Sequence, residues 1–114
     1  MQEQIRVVVA SGASTSSQAA FSRVFPAYGV FVGTMSTGVI FGIHAMSDSG
    51  SFYQVMNPVN VQTSTVSNLT FQVGTHVGAG GGFVNLPGGY KDFRFVLTGV
   101  VSGGVSFNVI GYDG

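Results

Sequence analysis

The sequence predicts an all-β domain, an antiparallel β-sandwich or barrel of about eight short strands. Three observations carry that prediction. Eighteen glycines are scattered over 114 residues, and glycine penalises helix wherever it falls. Apolar, β-branched and aromatic residues come in short runs, several of them alternating with period two. Clusters of Gly, Ser, Asn and Asp separate those runs at regular spacing.

The elements follow in order. Residues 5–9 form an apolar run broken by Arg6, and "SGASTSSQ" after it reads as a solvated loop, so residues 1–18 are expected to be an N-terminal arm and its connection. A single sandwich domain is expected over residues 19–114. Its first strand is predicted at 19–25, carrying Phe21 and Phe25 and ended by Pro26, which donates no ladder hydrogen bond. A second spans 28–34. The third, 39–46, sets Val39, Phe41, Ile43 and Ala45 on one face and Ile40, Gly42, His44 and Met46 on the other. Neither face is cleanly polar, so the strand is either central or covered by another chain. "SDSG" at 47–50 then turns the chain back into 52–55, with Asp48 bonding its own backbone and Gly50 supplying a positive φ.

Asn57-Pro58 signals a further turn, and 66–73 a further strand. Residues 74–89 hold seven glycines and read as a long connection, with 83–86 a short strand inside it. The closing pair is predicted as a hairpin. "DFRFVLT" alternates Phe93, Phe95 and Leu97 against Arg94, Val96 and Thr98, and "VSFNVIGY" sets Val105, Phe107 and Val109 on one face, with 101–104 as the turn.

Composition narrows function. Four basic residues balance four acidic ones, so no long-range field draws the chain to nucleic acid or an anionic membrane. No uninterrupted run approaches the roughly 20 apolar residues of a spanning helix. Charged residues are only 7% of the chain, where an ordinary soluble domain has about 25%. Mean hydropathy is +0.42. A neutral, charge-poor surface promotes association, so either part of this surface is covered in the working state or it is built from uncharged Ser, Thr, Asn, Gln and Gly, as in many β-sandwiches, and the two readings are compatible. There is no cysteine for disulfides or thiolate chemistry.

The residues point away from catalysis and cofactors. A zinc site wants three or four ligands, whereas His44 and His76 stand apart and the carboxylates Glu3, Asp48, Asp92 and Asp113 are scattered. No serine sits in a Gly-x-Ser-x-Gly elbow. "GAGGG" at 78–82 lacks the Lys-Ser/Thr ending of a phosphate loop. Tyr28, Tyr53, Tyr90 and Tyr112 are the aromatic residues left for sugar stacking, since there is no tryptophan.

Two stretches carry a resemblance. "VFVGTMSTGVIFGIHAMSDSGSFYQV" and "GGYKDFRFVLTGVVSGGVSFNVIG" are similar to small phage virion domains: a strand ending in Gly33-Thr34, a Ser47-Asp48-x-Gly50-x-Phe52 turn, then an aromatic strand with Tyr90, Phe93 and Arg94 before Ser102-Gly103. These residues are fold-forming. Together the stretches cover about half the chain; the first strand and the glycine-rich segment have no counterpart in the pattern. The resemblance implies a jelly-roll-like β-sandwich and a structural virion protein, a capsid decoration (cement) protein that self-associates as a trimer or dimer on the outer surface of a coat shell. Its alternative implication is a receptor- or carbohydrate-binding module of a tail or fibre. The expected partners are further copies of the chain and the major capsid protein. The expected contact residues are Gln2, Glu3, Gln4, Ile5, Arg6 and Val8 of the arm, which can add a strand to a neighbour's sheet edge, together with His44 and Phe83.

Overall fold

The computed structural model describes residues 2–47, 49–56, 68–99 and 104–113. Among these residues nine strands build two antiparallel sheets: β1 (Gln2–Val9), β2 (Ala19–Ala20), β3 (Ala27–Val32), β4 (Ile40–Met46), β5 (Phe52–Gln54), β6 (Thr70–Gln72), β7 (Gly82–Pro87), β8 (Asp92–Thr98) and β9 (Val105–Tyr112). The first sheet runs β1-β9-β3-β7 and the second β2-β8-β4-β5, with β6 also on β4. Strand β5 pairs with residues 44–46 of β4 and β6 with residues 40–42, so the two share one edge of β4. Successive strands alternate between sheets except at that edge. This is a β-sandwich, as the sequence predicts, in the jelly-roll order that the resemblance implies.

Period-two alternation decides what each sheet buries. The first sheet turns Val7, Val9, Tyr28, Val30, Val32, Val84, Leu86, Val105, Phe107 and Val109 inward; the second turns Phe41, Ile43, Phe93, Phe95 and Leu97 inward. Phe107 of β9 stacks on Phe95 of β8 at 4.1 Å between centroids and tilts against Phe41 of β4 at 5.4 Å. One ring thus locks the two sheets together at the centre. A second aromatic cluster, Phe21, Phe25, Tyr28, Tyr90 and Phe93, closes one end. There the Tyr28 hydroxyl donates to the Tyr90 carbonyl. Burial pushes both phenols up from their ordinary range, Tyr90 strongly.

The structure departs from the sequence reading in five places. The closing pair is no hairpin. β8 pairs with β2 and β4 while β9 pairs with β1 and β3, so the two strands face each other across the core. The alternation of both strands is as read; it fixes which residues face the core, not whether the next strand lies beside or opposite. The strand predicted at 19–25 shortens to β2, because Phe21 and Phe25 leave the sheet to fill the aromatic end. Within the glycine-rich segment β7 is a full six-residue strand pairing along β3.

The Ser/Thr-rich stretch is pinned rather than merely solvated. Thr15 bridges Val96, Ser16 N–H donates to the Phe95 carbonyl, and the Ser16 hydroxyl is buried, accepting from Phe95 N–H at 2.9 Å. Residues 2–9, expected as an arm, are β1 and pair along their whole length with β9 of the same chain. The β4–β5 hairpin is present, with His44 opposite Gln54, and Gly50 in the turn has φ +86°. Asp48, the Asn57-Pro58 turn, residues 66–67 and Ser102-Gly103 lie outside the described residues.

Candidate interaction face

The outer side of the β1-β9-β3-β7 sheet carries the residues that alternate away from the core. Strand register arranges them in rows. One row is Gln2, Tyr112, Ala27 and Pro87; the next is Gln4, Ile110, Gly29 and Asn85; the third is Arg6, Asn108, Phe31 and Phe83. Val8 and Ser106 follow on β1 and β9. Arg6 is the sole charged side chain among them. Phe31 and Phe83 are each half-exposed, 50% and 49%, and sit 4.8 Å apart as a tilted pair. Val8 adds a further 44% exposed apolar side chain at the β1 edge.

Small residues on β3 let rings lie flat on this sheet. A Cβ at Gly29 would meet the Phe83 ring at 2.4 Å, so the ring is seated directly over the glycine. From the other flank the Tyr112 hydroxyl donates to Asn85 Oδ1 at 3.0 Å, spanning β3 above the same glycine. The result is a broad, low-relief, nearly uncharged face in which two aromatic rings stand in water. At one end Arg23 pairs with Asp113 at 2.5 Å, and its guanidinium holds the Asp113 carboxyl below the usual carboxylate range.

Five of the eight residues expected as contacts, Gln2, Gln4, Arg6, Val8 and Phe83, therefore come together on one face. Glu3 and Ile5 alternate inward. The Glu3 carboxylate accepts from Ser22 N–H at 3.2 Å and from the Ser22 hydroxyl at 2.6 Å, and Ile5 packs against the core. His44 lies on the outer side of the opposite sheet, between Arg94 and Gln54. Sequence reasoning missed Phe31, Ile110 and the seat at Gly29, and named Tyr112 only for sugar stacking. Period two was the available signal: in "AYGVFV" it opposes Ala27, Gly29 and Phe31 to Tyr28, Val30 and Val32.

Among the described residues, reactive groups do not converge elsewhere. Among the described residues no three His, Cys, Asp or Glu gather as metal ligands. His76 serves its own turn, its Nδ1 accepting from Gln72 N–H at 2.9 Å. A cleft of about 570 Å³ at one end is lined by Met46, Ser47, Tyr90, Lys91 and Asp92, with Lys91 and Asp92 paired at 3.4 Å. Of the four tyrosines, Tyr28 is fully buried and Tyr90 is turned into the aromatic end, which leaves Tyr112 and the 62%-exposed Tyr53.

No protein-family model matches the chain, and no curated protein does. Among solved structures it matches the crystal structure of the SPBc2 prophage-derived protein YomS. The TM-score is 0.58 over 97% of this chain and 94% of that one, at 13% identity. At that identity the likeness is one of fold, and it extends over nearly the whole of both chains.

Proposed function

We propose that this chain is a structural protein of a phage particle: a capsid decoration protein that self-associates and reinforces the outer surface of the coat shell. The observation that carries the reading is the outer face of the first sheet. A four-strand surface with one charge and two half-exposed phenylalanines is poorly suited to permanent exposure and well suited to burial against protein. The jelly-roll order, shared along nearly the full length with a prophage-derived protein, supports the phage setting, as does the resemblance of 30–55 and 88–111 to virion domains. Jelly rolls also build lectins, and exposed Tyr53 favours a second reading, the receptor- or carbohydrate-binding module of a tail or fibre.

Immunogold electron microscopy of particles of the encoding phage separates the two. Gold on the shell is the expected result. Gold confined to the tail selects the binding module, and particles without label remove both.

A further inference from the structure

The first sheet ends at β1, and that edge has an unusual hydrogen-bond inventory. Antiparallel pairing with β9 uses the backbone groups of alternate β1 residues only. Two contacts show which. Val8 N–H donates to Ser17 Oγ at 3.2 Å and the Val8 carbonyl accepts from Ser17 N–H at 3.1 Å, so Val8 points away from β9. The carbonyl of Ser106, opposite Val8, is turned to Gly33 N–H on the β3 side. By alternation the backbone N–H and C=O of Gln2, Gln4 and Arg6 point outward too, and none of them has a hydrogen-bond partner among the described residues.

Proteins usually blunt such an edge with proline, a bulge or very short length. The other edges here do so: β7 ends in Pro87, β2 has two residues, and β5 and β6 have three each. β1 is eight residues long, free of proline, and in unbroken register with β9.

We propose that two copies of this chain join β1 to β1 in antiparallel fashion about a twofold axis at Gln4. The register follows from the inventory. A hydrogen-bonded antiparallel pair needs outward groups on both residues, and Val8 is already committed to Ser17. Only one register uses all three open residues: Gln4 opposite Gln4 of the second copy, and Gln2 opposite its Arg6. This register also avoids a like-charge contact, since Arg6 meets glutamine and Glu3 falls opposite isoleucine. The contact is isologous and closes on itself. It joins two outer faces into one continuous eight-stranded surface roughly 38 Å across, at about 4.8 Å per strand. This inference rests on the self-association in the proposed function and supplies its geometry.

The chain has no cysteine, so single-cysteine variants read the register directly. Residues in a hydrogen-bonded antiparallel pair have Cα atoms about 5.5 Å apart, within disulfide range. Gln4→Cys should therefore oxidise to a covalent dimer. Arg6→Cys should stay monomeric on a non-reducing gel, because the two Arg6 Cα atoms lie roughly 14 Å apart in this register. Gln4→Pro removes the donor at the axis from both copies and leaves the β9 ladder intact. It should weaken association in sedimentation equilibrium on the order of tenfold or more. A monomeric parent chain at high micromolar concentration, or cross-linking of Arg6→Cys as readily as Gln4→Cys, overturns the pairing; should Gln4→Pro fail to fold, the cysteine pair decides. A monomer that still labels shells removes this pairing and leaves the capsid reading. An intact dimer that labels no particle does the reverse.

Discussion

The two outer faces of the sandwich are built from opposite materials. The first sheet presents four strands of six to eight residues, and Arg6 is the single charge among their outward-facing residues. The second presents β8 and β4 flanked by strands of two and three residues. It carries Asp92, Arg94 and His44 along its outward positions, and the Arg94 guanidinium lies 4.0 Å over the Phe52 ring. The core between them is shared, so the contrast does not lie in what the two sheets bury. A ragged, charged sheet is at home in water, whereas a long, flat, neutral one carries an association hazard unless something covers it. Under the proposed function, the difference gives the partner-facing role to the first sheet.

The largest effect tests the shared core, which sets the scale for both faces. Phe107→Ala removes the ring that bridges the sheets through Phe95 and Phe41, and should cost about 3–5 kcal/mol in urea unfolding. Much of a small domain's stability would go with it. A loss near 1 kcal/mol would mean that the sheets are held mainly elsewhere.

Next comes the aromatic end that both sheets share. Burial raises the Tyr90 phenol, and among the described residues its hydroxyl has no hydrogen-bond partner. The neutral phenol is thus favoured in the folded state, while the unfolded chain ionises near pH 10. Its contribution is full below pH 10 and is lost as pH rises through the folded value. Tyr90→Phe should flatten the alkaline limb of a stability–pH curve. It should also raise stability at pH 7 by about 1 kcal/mol, by removing an unpaired buried hydroxyl. An unchanged alkaline limb would assign the base sensitivity to another group.

These elements also show what the sequence could reveal. Inward and outward positions were legible because alternation is local: Phe93, Phe95, Leu97, Val105, Phe107 and Val109 face the core as read. The β4–β5 hairpin was legible because a short Ser/Gly turn forces neighbouring strands together. The β8–β9 relation was not: residues 99–104 carry the same Ser and Gly turn signals and exceed 47–51 by one residue, so turn composition did not separate a hairpin from strands in opposite sheets, and alternation is the same either way. The candidate face was half legible. Phe83 and the outward residues of β1 stood out, but placing Phe31 and Ile110 beside them requires the register of four strands that are distant in sequence.

An effect of comparable size checks the second face. Arg94→Ala removes the cation–π contact with Phe52, and its half-buried setting puts the loss at about 1–2 kcal/mol. Shell labelling should be untouched by that change. A variant that stays folded yet loses the label would put the partner on the second sheet and reverse the assignment of the two faces.

The smallest expected change in stability carries the most weight. Phe31 and Phe83 are half-exposed, so changing either to serine gives up only part of a ring's burial and part of one aromatic pair, below about 1 kcal/mol each. If the first face is covered in the working state, the same two changes act at full strength on assembly, because hot-spot energy concentrates in aromatic residues that become desolvated on binding. The double variant should therefore unfold almost as the parent does and yet fail to label shells. Its β1 edge is unchanged, so dimerisation through Gln4 should survive. Had the rings instead been part of the fold's own support, stability and labelling would fall together. A parent-like label from a stably folded double variant would leave the neutral face without a partner and return the charge poverty of the chain to its Ser, Thr, Asn and Gly surface alone.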